Sequence, residues 1–158
     1  MTRQYVGERV LRNEDPRLLT GQGLFVDDIE IPGMLHVAFL RSDYAHARIK
    51  SIDTSAAEGM PGVVAVFTAE DMGDEWAPGP PLVSPPPTLK DVTFHSRRQA
   101  PLAKGVIRHA GENVAAIVAE TRYEAEDAAE SIWVEYEPLP VVVDIERALD
   151  PDSPLVHD

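Results

Sequence analysis

The feature that most constrains this chain is an apolar run followed almost at once by a helix start. Val114-Ala115-Ala116-Ile117-Val118-Ala119 carries no polar side chain and reads as a buried strand. Thr121-Arg122-Tyr123-Glu124 then places a capping threonine three residues before a glutamate. In this capping box the hydroxyl serves the fourth residue's amide and the carboxylate reaches back to the first. The helix it opens should run to about Glu130. Ala125, Ala128, Ala129 and Ile132 share one side, and Glu126, Asp127 and Glu130 another, with Arg122 spaced to pair with Glu126. Alanines on the apolar side would let the helix lie close to a sheet. Trp133-Val134-Glu135-Tyr136 reads as the next strand, ended by Pro138 and Pro140.

Further short strands are expected at Leu24–Val26, Leu35–Arg41, Arg48–Ile52, Val63–Phe67, Val92–Phe94, Val106–Arg108 and Val141–Val143. In the second of these, Leu35, Val37 and Phe39 alternate with His36, Ala38 and Leu40. Ala56-Ala57-Glu58 and Ile145–Leu149 suggest single helical turns. Thr68 and Asp71 form a weaker capping box for a short helix at Ala69–Met72. Pro78, Pro80, Pro81, Pro85, Pro86 and Pro87 crowd the interval 73–91, which reads as a long extended loop because proline lacks an amide donor and restrains its predecessor. Short strands around one good helix indicate an α+β domain rather than repeated βαβ units. The expected organisation is an N-terminal arm over 1–18, a domain over 19–143 and a C-terminal linker over 144–158.

Charge and composition narrow the function. Of 158 residues, 27 are acidic and 14 basic, giving a formal net charge of −13. That balance repels nucleic-acid phosphates and anionic membrane, so neither is an expected partner. The absence of cysteine excludes disulfides, thiol catalysis and cysteine-held clusters within the chain. No apolar run reaches the length of a membrane span, and Glu8, Arg9, Arg12, Glu14 and Asp15 stand where a signal peptide would be apolar. The default expectation is a cytoplasmic setting.

Motifs for autonomous chemistry are thin. His36, His46, His95, His109 and His157 show no paired ligand spacing. Asp27, Asp28 and Glu30 cluster, but a solvated turn with Asx-type hydrogen bonds accounts for them. Gly21-Gln22-Gly23 is too short for a dinucleotide fingerprint. Ser42, Ser84 and Ser96 lack a nucleophile elbow.

Four stretches together resemble one family. They are Leu19–Asp28 (LTGQGLFVDD), Arg41–Ile49 (RSDYAHARI), Pro61–Asp71 (PGVVAVFTAED) and Val118–Ala129 (VAETRYEAEDAA), with Val134–Pro140 (VEYEPLP) continuing the match. The chain resembles the α/β hammerhead domain of the xanthine dehydrogenase, aldehyde oxidase and carbon monoxide dehydrogenase large subunits. At His109-Ala110-Gly111-Glu112-Asn113 only Gly111 and Glu112 fit the family's usual run.

The resemblance implies a molybdenum hydroxylase acting on an aldehyde, an N-heterocycle or carbon monoxide. It also implies that molybdopterin, as the cytosine dinucleotide, sits in a downstream chain, with [2Fe-2S] clusters in an iron–sulfur subunit and FAD in a further subunit. The family's pterin-binding segments lie downstream of this domain, so no catalytic, cofactor-binding or metal residue is carried over. The expected role is non-catalytic structure and assembly, as a separate subunit or a fragment. The alternative is a stand-alone structural or binding protein that keeps the fold without the enzyme. Arg41, Tyr44, His46, Arg48, His109 and Glu112 are the candidate interface residues, with the Pro-rich loop as a second assembly contact.

Overall fold

The computed structural model describes residues 6, 7, 9, 11–73 and 100–157. The expected loop after Gly73 and the expected strand at Val92–Phe94 lie outside them. The chain divides into two compact units, Met1–Met34 and Leu35–Asp158.

In the first unit, helix α1 (Asp15–Leu19) falls largely inside the segment expected to be an irregular arm. Pro16 suits a helix start, where its missing amide costs nothing. Leu24–Val26 is not a strand. The Asp28 carboxylate accepts the Phe25 amide at 2.9 Å and closes a 3₁₀ turn over Val26–Asp28. A local side-chain acceptor outcompetes pairing here, as it commonly does for aspartate.

Among its described residues the second unit holds two three-stranded antiparallel sheets. Its elements are β1 (His36–Arg41), β2 (Ala47–Asp53), α2 (Ser55–Glu58), β3 (Val63–Thr68), β4 (Val106–Ile107), β5 (Asn113–Ala119), α3 (Arg122–Glu130) and β6 (Trp133–Pro138). One sheet runs β1-β5-β3 and the other β4-β2-β6. The connection from Ser42 to His46 carries the chain from the first sheet to the second. This is the expected α+β class.

Helix α3 begins where the capping box predicts. Thr121 Oγ1 accepts the Glu124 amide at 3.2 Å, and Glu124 Oε2 accepts the Thr121 amide at 3.0 Å and its hydroxyl at 2.8 Å. Ala125 and Ala128 are fully buried against Ala115, Ile117 and Ala119 of β5 and Ala57 of α2. Ile132 closes the helix side of this cluster. A second cluster of Ala47, Ala103, Ile107 and Val114 lies on the β4-β2-β6 side. Leu40, Ile52 and Val134 pack against both clusters, so the core is continuous between the sheets.

Gly62 sits at the turn into β3 with φ +78°, and its carbonyl accepts the Glu120 amide at 2.9 Å. A side chain there would collide with the Glu124 carboxylate. The turn and the cap of α3 therefore share one small space.

Two further expectations change. Thr68 and Asp71 do bond, the carboxylate taking the Thr68 amide and hydroxyl at 2.6 Å each, but Ala69–Met72 is a turn and not a helix. Gly73 follows, its amide donated to Glu70, and glycine opposes propagation. Val141–Val143 forms no strand. The last pair of β6 with β2 is Pro138 with Ala47, the first residue of β2, so the chain beyond runs past the end of its neighbour.

Candidate functional site

The six candidate interface residues fall into two adjoining groups around the Ser42–His46 connection. The first joins Arg41 to the loop before β5. Arg41 Nη1 donates to the Gly111 carbonyl at 2.9 Å, the Ser42 amide donates to Glu112 O at 3.0 Å, and the Gly111 amide donates to Ser42 O at 2.7 Å. Gly111 can turn here because its φ is +83°. The Glu112 side chain is only 11% exposed and accepts the Arg108 amide at 2.6 Å. His109 Nδ1 lies 3.9 Å from the same carboxylate, with its ring about half exposed.

The second group lies against β6. His46 is buried, and its Nδ1 sits 2.7 Å from the Pro140 carbonyl, which requires the donor tautomer at that nitrogen. Its own carbonyl accepts the Leu139 amide. The Tyr44 and Tyr136 rings are 4.9 Å apart between centroids and tilted by 40°. Arg48 and Lys50 both reach Glu137 Oε2, at 3.5 and 3.6 Å. Buried Ser42 ties the two groups together, its hydroxyl accepting the Tyr44 amide at 3.0 Å. Burial, foremost, pushes the Tyr136 hydroxyl above the ordinary phenol range; a hydrogen bond with Ser42 opposes the shift, and Asp43 and Tyr44 add to it.

These contacts join two sheets. The sequence pointed to Arg41, Tyr44, His46, Arg48, His109 and Glu112, but Ser42, Tyr136 and the Gly111 and Pro140 carbonyls complete the arrangement. Backbone acceptors leave no signal in side-chain identity, so Gly111 and Pro140 were not readable as partners.

A second surface went unread as well. On the side of the β1-β5-β3 sheet away from α3, the pairing aligns Val37, Val118 and Ala65 in one cross-strand row. Phe39, Ala116 and Phe67 form the next. Val37 is 53% exposed, Phe39 44% and Phe67 43%. The Arg41 guanidinium lies 6.0 Å from the Phe39 ring centroid. A depression of about 580 Å³ runs between Phe39, Phe67, Met72 and Leu102. A more polar cleft of about 430 Å³ lies between the Ile49–Ile52 stretch and Thr68–Asp71 and includes Lys50, Glu70 and Asp71, and Asp71 lines the apolar depression as well. Among the described residues, no group of three or more histidine or acidic side chains could hold a metal ion, and no helix is long and apolar enough to cross a membrane.

Residues 20–140 match the family model described as the aldehyde oxidase and xanthine dehydrogenase a/b hammerhead domain. The chain is 46% identical to the carbon monoxide dehydrogenase large chain of Afipia carboxidovorans over 98% of its own length and 18% of the relative's. It is 42% identical to the nicotine 6-hydroxylase large subunit of Paenarthrobacter nicotinovorans, over 94% of this chain and 18% of that one. The solved structure of quinoline 2-oxidoreductase from Pseudomonas putida 86 superposes with a TM-score of 0.79 at 46% identity, covering 93% of this chain and 18% of its own. The chain thus spans under a fifth of the length of the relatives it matches. With the capped helix, the two sheets and the matched residues all in agreement, the chain belongs to the a/b hammerhead family of the aldehyde oxidases and xanthine dehydrogenases.

Proposed function

We propose that this chain is the structural and assembly portion of a molybdopterin-dependent hydroxylase or dehydrogenase and is non-catalytic by itself. The observation that carries the reading is the match of residues 20–140 to a domain that makes up under a fifth of much longer large chains. The assembled complex would oxidise an aldehyde, an N-heterocycle or carbon monoxide. Molybdopterin, as the cytosine dinucleotide, would be held by the downstream molybdopterin-binding chain, [2Fe-2S] clusters by an iron–sulfur subunit and FAD by a further subunit.

The residues of this chain do not fit an iron–sulfur cluster. The chain has no cysteine to hold one, and its described histidines and carboxylates do not converge. No step of the hydroxylation is therefore assigned to its residues. Their work is mechanical. Ser42, His46 and the Gly111 turn fix the angle between the two sheets, and Arg41, Tyr44, Arg48, His109 and Glu112 line that corner and contribute assembly contacts. The Pro-rich segment contributes a second contact.

The test is purification of the tagged chain from its own host, with native mass and visible absorption measured on the product. Iron–sulfur and flavin absorption in a multi-chain species is the expected result, and the colour would report partners because this chain cannot hold a cluster. A colourless lone chain would overturn the proposal in favour of a stand-alone protein. Deleting residues 76–88 should reduce recovery of the complex; unchanged recovery would remove the Pro-rich segment from the assembly contacts.

A further inference from the structure

We draw no further inference here: the strongest candidate, the apolar outer face of the β1-β5-β3 sheet around Val37, Phe39 and Phe67, carries nothing further because nothing in the structure shows what covers it.

Discussion

Replacing Gly62 by alanine should be among the most damaging single-methyl additions in the chain, and the cause is divisible into two parts. The backbone at Gly62 has φ +78°, and holding an alanine in that left-handed region costs about 1–2 kcal/mol. The new methyl group would also overlap the Glu124 carboxylate. That carboxylate can swing away, since it ends a flexible side chain, but only by releasing the Thr121 amide and hydroxyl. Losing that half of the capping box adds about 1 kcal/mol, for a total of about 2–3 kcal/mol. The assay is urea denaturation followed by far-UV circular dichroism for four proteins: wild type, Gly62→Ala, Glu124→Ala and the double variant. In the Glu124→Ala background the cap is already gone and the space is empty. Gly62→Ala should then cost only its backbone share, leaving a coupling of about 1 kcal/mol between the sites. Strictly additive costs would refute the steric link, and a Gly62→Ala cost below about 0.5 kcal/mol would refute the backbone argument as well.

Three other perturbations probe the core, the corner and the acid limb. Ala128→Leu should destabilise by about 1–3 kcal/mol in the same urea assay, because the fully buried methyl of Ala128 faces a cluster with no room for a larger side chain. His46→Ala should lower the melting temperature by removing the donor to the Pro140 carbonyl, at about 1–3 kcal/mol for the acceptor left behind, and His46→Asn should recover part of it by offering an amide at a similar place. Asp53 and Asp71 are both held below the usual carboxylate range, foremost by the hydroxyls of Ser55 and Thr68 and then by the amides of the same residues. Their folded values lie below the unfolded reference of 3.8, so the stability they add is present above that pH and is lost as pH falls through the folded values. Asp53→Asn/Asp71→Asn should therefore melt lower than wild type near neutrality, with the gap closing in the acid; a gap independent of pH would refute the assignment.

The elements with a local signature were legible and those decided by distant partners were not. The Thr121–Glu124 box located α3, and the buried side of that helix is the alanine side the spacing indicated. Strands at His36–Arg41, Val63–Thr68 and Asn113–Ala119 follow runs of apolar and β-branched residues. Leu24–Val26 and Val141–Val143 carry comparable composition but do not pair, the first because Asp28 captures its backbone and the second because β2 has already ended. Alternation in β1 could not say which side faces inward, since His36, Ala38 and Leu40 are no more apolar than Val37 and Phe39. That ambiguity was itself the signal of the outer surface. The candidate residues around Arg41–Arg48 were found by resemblance, and their geometry depends on backbone carbonyls that composition cannot reveal.

The corner and the apolar face do different kinds of work, and magnitudes separate them. Exposed ion pairs such as Arg48–Glu137 and Lys50–Glu137 contribute at most about 1 kcal/mol each, and their side chains are already engaged within the chain. A charged partner would have to compete with those contacts before gaining anything. Burying the exposed half of a valine or phenylalanine side chain yields about 0.7–1.5 kcal/mol, and Val37, Phe39 and Phe67, each about half exposed, stand together on one sheet face. The corner supplies geometry: at the register shift after Leu40 the chain leaves the sheet, and the Arg41–Gly111 and Ser42–Glu112 bonds hold that departure in place. The same Arg41 that closes the corner lies against Phe39, so loosening the corner would also disturb the edge of the apolar sheet face.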